Sequence, residues 1–450
     1  MPDAAAQSDG SLNAGKDPVS YWRIFKTWLP LGMTQFLMAA EDPLYVAVIM
    51  RLQFPKLELG ALYSYMWPIL LLISSAVFTL VTVGNVFATN VHNLRKIKTL
   101  SFTLGAVCTL MICVFAFTPL GRLFMLEVMA IPNSELDMAL NALKICSIYP
   151  VVAAMNQIYQ GTLIRSGRAL HVFLARTVRF GAGLAVLLVG LKTSWASGAV
   201  LGAVAITLSL LLQTIYLWWK SRICTTRLKE NPLETEVVKT SALIRFTIPL
   251  SITPILGSIT GLVMAAAIGR LPGVVVSLAI WPVVTNFNNI GLGMGQSYDQ
   301  VTVKHYASNA DRKRLMKFGV ILGILLSIIT ALFIVSGVFH YALRSLENLD
   351  ENNSKISINA MWFLTAMPFL YTMVSYYSGL LAKSMKTIPI LISQTFSLLL
   401  VTLMLLATIN LEPFMGVYVV SAASVVASGV SVLWLWYSWR KMIPHLSAGV

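Results

Sequence analysis

The stretch YQGTLIRSGR at residues 159–168 recurs in the second half of the chain as YSGLLAKSMK at residues 377–386. Both copies keep the tyrosine, the glycine and the serine, and the two arginines of the first copy are lysines in the second. The pair Pro30-Leu31 likewise recurs as Pro249-Leu250, at almost the same separation. Matches that keep their order and spacing indicate an internal duplication, so we predict a fold of two similar halves.

The composition indicates that both halves lie in a membrane. Of the 450 residues, 57% are hydrophobic and 11% are charged, whereas an ordinary soluble domain carries about 25% charged residues. The hydrophobic residues form blocks of about twenty, the length at which a helix crosses a hydrocarbon layer of about 30 Å. These features exclude a soluble enzyme, a disordered chain and a secreted disulfide scaffold, and they predict an all-α integral membrane protein.

Twelve hydrophobic blocks predict twelve transmembrane helices, six in each half. They are Ile24–Met50, Leu62–Phe87, Thr99–Thr118, Met138–Leu163, Val172–Leu191, Gly198–Trp219, Ile244–Gly269, Val274–Gln296, Phe318–His340, Ile356–Leu381, Ile388–Ile409 and Phe414–Trp439. A bundle with an even number of crossings begins and ends on the same side of the membrane. We therefore expect two six-helix bundles related by a pseudo-two-fold axis along the membrane normal.

The predicted bundles divide the chain into five segments. We expect a disordered cytoplasmic tail at 1–22, an N-terminal lobe at 23–219, a cytoplasmic connector at 220–240, a C-terminal lobe at 241–441 and a cytoplasmic tail at 442–450. The loops that follow the even-numbered spans are rich in lysine and arginine. Since such loops stay in the cytoplasm, both termini of this multi-pass protein are predicted to be cytoplasmic, in the cell's inner or plasma membrane. The same loops explain the net charge of +15, so we do not expect nucleic acid as a partner.

Two adjacent carboxylates, Glu41 and Asp42, interrupt the first predicted span, and Pro43 follows them. An ionised carboxylate inside a membrane costs several kcal/mol unless water, a cation or a proton compensates its charge. We therefore interpret Glu41 and Asp42 as coupling or gating groups that bind a proton or a cation. The alternative is that the pair lies near the outer end of a long span and reaches water at the lipid headgroups.

Amides and one further acid are concentrated in the second, fourth and eighth spans and directly after the second and eighth, and they form the predicted lining of a hydrated substrate cavity. These residues are Asn85, Asn90, Asn156, Gln160, Asn286, Asn289, Gln296 and Asp299. The eighth span contains too many polar side chains for a helix that faces lipid. The alternative is that the amides bond to each other between packed helices.

Arg176 and Arg179 lie in the fifth span, three residues apart and hence on one face of a helix. The corresponding residues of the second half are Gln394 and Ser397, so this charge belongs to the first half alone. Two guanidinium groups suit a carboxylate or a phosphate, which predicts an anion-attracting element. The alternative is that both arginines extend to the cytoplasmic headgroups.

The sequence contains no pattern typical of a cofactor or metal site. The four cysteines form no CxxC pair and the five histidines form no HxxxH pair, so we predict neither a metal site nor a disulfide framework. A Walker loop and a nucleophile elbow are also absent, which favours a transporter over an enzyme. Any pumping must then be driven by an ion gradient or by the substrate's own gradient, and a proton and a sodium ion are the candidate coupling ions.

The chain resembles the multidrug/oligosaccharidyl-lipid/polysaccharide (MOP) exporter superfamily, which includes the multidrug and toxic compound extrusion (MATE) transporters. Within it, three short segments are similar to the progressive ankylosis (ANKH) family of exporters linked to pyrophosphate, ATP and citrate. They are Pro30–Thr34 before Glu41-Asp42, Val83–Phe87 before Asn90, and Gly379–Leu381 before Lys386-Thr387. The acidic residue typical of MATE proteins falls near Tyr45, which leaves Glu41 or Asp42 as its displaced counterpart.

The resemblance and the polar residues together predict a secondary active exporter in the lipid bilayer. It would move a small organic solute, with anions such as citrate and pyrophosphate among the candidates, through a central cavity by alternating access. A lipid-linked oligosaccharide flippase and a MATE-type multidrug or cation antiporter are the alternatives on the same scaffold. A membrane scaffold that transports nothing is the alternative of a different class.

Overall fold

The computed structural model describes residues 18–49, 51, 60–127, 131, 133–193, 196–230, 237–268, 271, 274–345, 350–408 and 415–447. This described part is helical, with no strand. Its helices are α1 (Tyr21–Ile49), α2 (Trp67–Phe78), α3 (Leu80–Phe87), α4 (Val91–Phe117), α5 (Pro119–Glu127), α6 (Asn133–Ile145), α7 (Tyr149–Arg165), α8 (Ala169–Thr193), α9 (Gly198–Glu230), α10 (Thr240–Ile268), α11 (Val274–Gln296), α12 (Tyr298–His305), α13 (Asn309–Val335), α14 (Val338–Ser345), α15 (Glu351–Leu364), α16 (Met367–Lys383), α17 (Ile388–Thr408) and α18 (Gly416–Ser447). A π-helical turn, Gly60–Met66, precedes α2, and a 3-10 turn, Cys146–Ile148, precedes α7.

Each of the twelve predicted spans coincides with one of these helices or with two consecutive ones. Within the described residues, ten helical segments are long and apolar enough to cross a membrane. The first and eighth predicted spans correspond to α1 and α11, which are helical but are not among these ten. The prediction of an all-α, multi-pass integral membrane protein is confirmed.

Contacts divide the chain into two compact units. One is Ala40–Ile255, and the other, which we call the Leu256–Val450 unit, also includes Met1–Ala39. The division therefore falls inside α1 and α10, whereas the sequence predicted it at a 220–240 connector. That connector is partly helical, because α9 continues to Glu230 and α10 begins at Thr240, and the predicted tail at 442–450 is helical as far as Ser447.

Packing explains why each unit takes part of a helix from the other half of the sequence. In the Leu256–Val450 unit, the Trp28 indole N–H on α1 donates to the Met294 carbonyl of α11 at 3.1 Å. In the Ala40–Ile255 unit, Phe246 on α10 forms an edge-to-face pair with Phe87 of α3, with ring centroids 4.9 Å apart. Such contacts join residues far apart in sequence, so chain order alone does not predict them.

The segment before α1 is ordered from Pro18 onward, which corrects part of the predicted disordered tail at 1–22; residues 1–17 lie outside the described part. The Val19 N–H donates to Asp311 Oδ1 at 2.7 Å, and Arg314 donates to the Pro18 carbonyl at 2.9 Å. Nearby, His305 Nε2 is 2.9 Å from the Thr27 hydroxyl. Burial, reinforced by neighbouring cations, lowers the pKa of His305 to about 4, so this imidazole is neutral at pH 7.

The repeated stretch ends α7 and α16 with the same turn. The Arg168 N–H donates to the Leu163 carbonyl at 2.8 Å, and the Lys386 N–H donates to the Leu381 carbonyl at 2.8 Å. A hydrogen bond across six residues, with a left-handed residue inside it, defines a Schellman turn. The left-handed residue is Gly167 in the first copy, with φ of 80°, and Met385 in the second, with φ of 62°.

Replacing Met385 with glycine is expected to stabilise the protein by about 0.5–1 kcal/mol. A side chain at positive φ is strained by about 1–2 kcal/mol, and the entropy that glycine loses on folding, about 0.5–1 kcal/mol, offsets part of this gain. The measurement is the apparent melting temperature of purified protein in detergent, with Gly167→Ala as the reciprocal variant, which should be less stable. A Met385→Gly protein that melts below the parent would contradict the strain argument.

Candidate functional site

The candidate site is a buried cluster of three charges within the Ala40–Ile255 unit. Arg179 Nε donates to Glu41 Oε1 at 3.1 Å, and Arg176 donates to Glu41 Oε2. The exposed fractions of Glu41, Arg176 and Arg179 are only 3%, 6% and 8%. Among the described side chains, one carboxylate is thus held by two guanidinium groups.

Helical spacing places these groups opposite one another. Glu41 and Tyr45 are four residues apart on α1, and Arg176, Arg179 and Gly183 repeat every three to four residues on α8, so each set occupies one helix face. Gly183 gives the second helix room: a Cβ at this position would lie 1.6 Å from the Tyr45 hydroxyl oxygen. The close approach of α1 and α8 therefore depends on the absence of a side chain at Gly183.

Aromatic residues enclose the three charges. Tyr45 is buried, and its hydroxyl faces Glu41 and Ser209. Tyr149 is also buried and lies close to Arg179. Its ring packs edge to face on Trp67 at 6.1 Å between centroids. Water is displaced from around the ions, which strengthens their mutual attraction and makes removal of one partner costly.

The structure brings together two sets of residues that the sequence analysis treated separately. Glu41 was predicted as a coupling acid, and Arg176 and Arg179 as an anion-attracting element; no pairing between them was predicted. The pairing could have been predicted from the sequence. An unpaired acid or base in a membrane span is costly, and the first half contains one acid and two arginines in such spans. The alternative in which both arginines reach the headgroups is wrong, since both side chains are buried against Glu41. Asp42 lies in α1, but its side chain falls outside the described part of the structure.

The second half has no such charges at the corresponding positions. Thr260, Gln394 and Ser397 occupy the places of Glu41, Arg176 and Arg179 under the repeat. Thr260 donates its hydroxyl proton to the Leu256 carbonyl of its own helix, at 2.8 Å. The charged cluster is therefore a property of the first half, as the sequence predicted for the arginine pair.

The predicted cavity residues of the first half have partners within helices or between them. Asn90 is the N-cap of α4, since its side chain accepts from the Asn93 N–H at 2.7 Å. Asn156 donates to the Thr214 hydroxyl at 3.0 Å, and this bond joins α7 to α9. Asn156 also accepts a hydrogen bond from Gln160 on its own helix. These contacts correspond to the alternative of bonding between packed helices.

Asn85 lies where α3 crosses α7 and is buried. Arg165 donates to the Asn85 and Val86 carbonyls at 3.0 Å, so it satisfies backbone groups at the end of α3. A Cβ on Gly161 would lie 2.8 Å from the Asn85 nitrogen. The helices therefore pack closely at Asn85, and its role as cavity lining stays a prediction.

The polar residues of the eighth span are arranged differently. Asn286, Asn289 and Gln296 share one face of α11, and all three are exposed. Gly293 lies on the same face, where an added Cβ would be 3.3 Å from Gln35 Cβ on α1, in the same unit. Asp299, on α12, is partly buried and accepts from the backbone and side-chain nitrogens of Gln300 at 2.6 and 2.8 Å. A hydrated cavity along this face stays a prediction.

Groups of three His, Cys, Asp or Glu side chains that could hold a metal ion are not found among the described residues. The four cysteines are free thiols. The arrangement of the candidate site instead suits electrostatic binding: two guanidinium groups face one carboxylate in a site from which water is excluded.

Several solved structures of membrane transporters have a fold similar to that of this chain. A MOP superfamily transporter from Pyrococcus furiosus, described as having a binding pocket of reverse polarity that suggests a different function, superposes with a TM-score of 0.74. The match covers 94% of this chain and 96% of that one at 16% identity. A MATE transporter in a bent conformation gives a TM-score of 0.72 at 15% identity, covering 95% and 97% of the two chains. An outward-facing multidrug resistance MATE transporter gives 0.69 at 13% identity, covering 94% and 98%.

This chain has a MATE-like fold. Residues 233–433, just under half of the chain, also match the profile of the progressive ankylosis protein (ANKH) family. No curated protein matches the chain in sequence. The resemblance predicted from short motifs is confirmed.

Within the MATE-like fold, the first helix departs from the pattern that the resemblance implied. The acid typical of MATE proteins was expected near Tyr45, where this chain has a buried tyrosine. The carboxylate of Glu41 lies one helical turn earlier and is already bound to two arginines. The chain therefore combines a MATE-like fold with a different charge arrangement in its first half.

Proposed function

We propose that this chain is a secondary active exporter of a small organic anion, with citrate and pyrophosphate as candidate substrates. The single observation that carries the proposal is the buried cluster of Glu41, Arg176 and Arg179 in a membrane-transporter fold. Two buried guanidinium groups suit the binding of an anion, whereas a MATE-type cation antiporter must bind a cation.

The arginine pair is the substrate-binding element of this proposal, and Glu41 is the group that occupies it between transport cycles. Planar guanidinium groups bind carboxylates and phosphates through paired hydrogen bonds. A carboxylate of citrate or a phosphate of pyrophosphate presents the same oxygens that Glu41 presents to Arg176 and Arg179. The substrate therefore competes with an internal carboxylate of the same chemistry.

Competition of this kind also couples binding of the substrate anion to binding of a cation. When a substrate anion displaces Glu41 from the arginines, a buried carboxylate is left without its cations. Its charge must be compensated by a proton or a sodium ion, because an unpaired buried carboxylate is costly. Glu41 thereby acts as the gating and coupling acid, and Asp42 next to it is a second candidate for the same cation. Alternating access, driven by that ion gradient, completes the mechanism.

One structurally similar protein supports the idea that the charge of the binding pocket differs between proteins with this fold. The Pyrococcus furiosus transporter is described as having a binding pocket of reverse polarity. In this chain the polarity is set by Arg176 and Arg179. The amide face of Asn286, Asn289 and Gln296 adds neutral hydrogen-bonding groups for the hydroxyls and carboxylates of the solute. The basic loops place both termini in the cytoplasm of a plasma-membrane protein in this proposal.

Flux into proteoliposomes tests the proposal. We expect uptake or release of radiolabelled citrate or pyrophosphate, dependent on a pH or sodium gradient, and little movement of a cationic dye. The Arg176→Gln/Arg179→Gln variant should lose at least about tenfold in anion flux, since each charged hydrogen bond contributes about 1.5–3 kcal/mol. The matched control is Arg122→Gln, which removes an exposed arginine 3.9 Å from Asp137 and should leave flux unchanged.

Two outcomes would contradict this function. Dye transport that equals or exceeds anion transport would favour a MATE-type cation antiporter. Absence of flux for every solute, from protein that is folded and correctly inserted, would favour a scaffold.

A further inference from the structure

An apolar groove opens on the outer surface of the Ala40–Ile255 unit, between α4 and α9 and over α7. Its volume is about 280 Å³. Its wall is formed mainly by aliphatic and aromatic side chains, among them Phe102, Val152, Tyr159, Thr214, Ile215 and Trp218. Phe102 and Ile215 are more than half exposed, so in a bilayer the groove faces acyl chains.

Two cations stand at one end of this groove. Lys98, one helical turn before Phe102 on α4, has its Nζ 5.4 Å from the centre of the Tyr159 ring. Arg222, one turn beyond Trp218 on α9, stacks on the Trp218 ring at 3.8 Å. Tyr159 and Trp218 line the groove, so both cations are attached to its wall. Neither forms an ion pair with a carboxylate among the described residues.

We propose that this groove binds one anionic phospholipid, with an acyl chain along the apolar wall and the headgroup phosphate between Lys98 and Arg222. The combination of features is specific to such a ligand: an apolar channel for the chain and two cations at its mouth. The volume is at the small end of ligand sites, which are roughly 300–1,000 Å³, and it suits an acyl segment rather than a whole solute. Basic sites between transmembrane helices select anionic headgroups in this way.

Charge complementarity distinguishes this lipid from the bulk bilayer. A zwitterionic phospholipid has a choline or ethanolamine cation that Lys98 and Arg222 repel, whereas phosphatidylglycerol has only the phosphate charge. The predicted topology places this end of the groove at the cytoplasmic surface. The groove contains no residue of the Glu41 cluster. The lipid proposal therefore does not depend on the transport proposal.

Native mass spectrometry of the full-length protein, released from detergent with added lipid, tests the inference. Phosphatidylglycerol should bind more tightly than phosphatidylcholine of the same chain length. Lys98→Gln and Arg222→Gln should each weaken phosphatidylglycerol binding by about fivefold, and the double variant by about 25-fold, since each basic residue near an anionic headgroup contributes about that factor. Ile215→Trp, which fills the groove without changing charge, should weaken binding of phosphatidylglycerol as well.

The matched control is Arg440→Gln. Arg440 stacks on Trp436 of α18 at 5.4 Å, so the variant removes a cation of the same kind on the repeat-related helix. It should leave phosphatidylglycerol binding unchanged, and soluble glycerol phosphate should not compete with the lipid. Equal losses in Arg440→Gln and Arg222→Gln, full binding in Ile215→Trp, or displacement by glycerol phosphate would each overturn the proposal.

Discussion

Replacing Glu41 with glutamine is expected to cost about 3–5 kcal/mol of folding free energy, because it leaves two buried guanidinium groups without their carboxylate. Arg176 and Arg179 are both nearly inaccessible to solvent, so water does not take the place of the missing charge. The measurement is the apparent melting temperature in detergent, together with the fraction of protein that elutes as a single species. A loss below about 1 kcal/mol, the usual value for an exposed ion pair, would contradict the buried pairing.

A variant that copies the second half separates stability from function. Glu41→Thr, Arg176→Gln and Arg179→Ser together install the residues that stand at the corresponding positions 260, 394 and 397. This triple variant has no charge at these three positions, and exchange of a buried ion pair for neutral groups is often close to neutral in stability. We expect it to recover most of the stability that Glu41→Gln loses.

We expect the same triple variant to show no gradient-driven anion flux, because it lacks the two arginines that bind the anion. A triple variant that is stable and transports citrate or pyrophosphate at the parent rate would refute the role of the cluster in binding. A triple variant that is as unstable as Glu41→Gln would show instead that packing, not charge, dominates this site.

Replacing Gly161 with alanine is the second change expected to have a large effect. The added Cβ would lie 2.3 Å from the Val81 carbonyl oxygen and 2.9 Å from Gly84 Cα. Both neighbours are backbone atoms of the second span, so relief requires the helices to move apart rather than a side chain to rotate. Overpacking of this kind typically costs about 1–3 kcal/mol and occasionally more, and we expect a loss at the upper end of that range.

Two glycines test the steric origin of this effect. Gly379, the repeat mate of Gly161, has the Asp299 carbonyl oxygen 2.8 Å from its would-be Cβ, so Gly379→Ala should be destabilised in the same way. Gly181 has open space at its Cβ position, and Gly181→Ala should gain up to about 1 kcal/mol from helix propensity. Melting temperatures that fall equally for Gly161→Ala and Gly181→Ala would rule out close packing as the cause.

The amide residues show how far a sequence pattern could predict this site. Asn90 stands directly before α4, where an asparagine is a favoured N-cap, so its capping role could have been read from the sequence. Asn156 and Gln160 are four residues apart on one helix, which predicts mutual contact, but their link to Thr214 depends on which helix packs beside them. Each of these three residues was predicted to line a cavity, and each has a hydrogen-bond partner within the protein.

The sequence by itself determined that this protein lies in a membrane, that it consists of long apolar helices and that its two halves are duplicates. Each of these depends on local properties: the length of an apolar run fixes whether it can cross the hydrocarbon layer, and the recurrence of residues 159–168 at 377–386 is visible without coordinates. Tertiary structure alone decided that Glu41 meets Arg176 and Arg179, about 135 positions away. Opposite charges in apolar helices must find partners, but helix packing selects which ones, and that packing depends on contacts such as Tyr45 against Gly183 that no periodicity encodes.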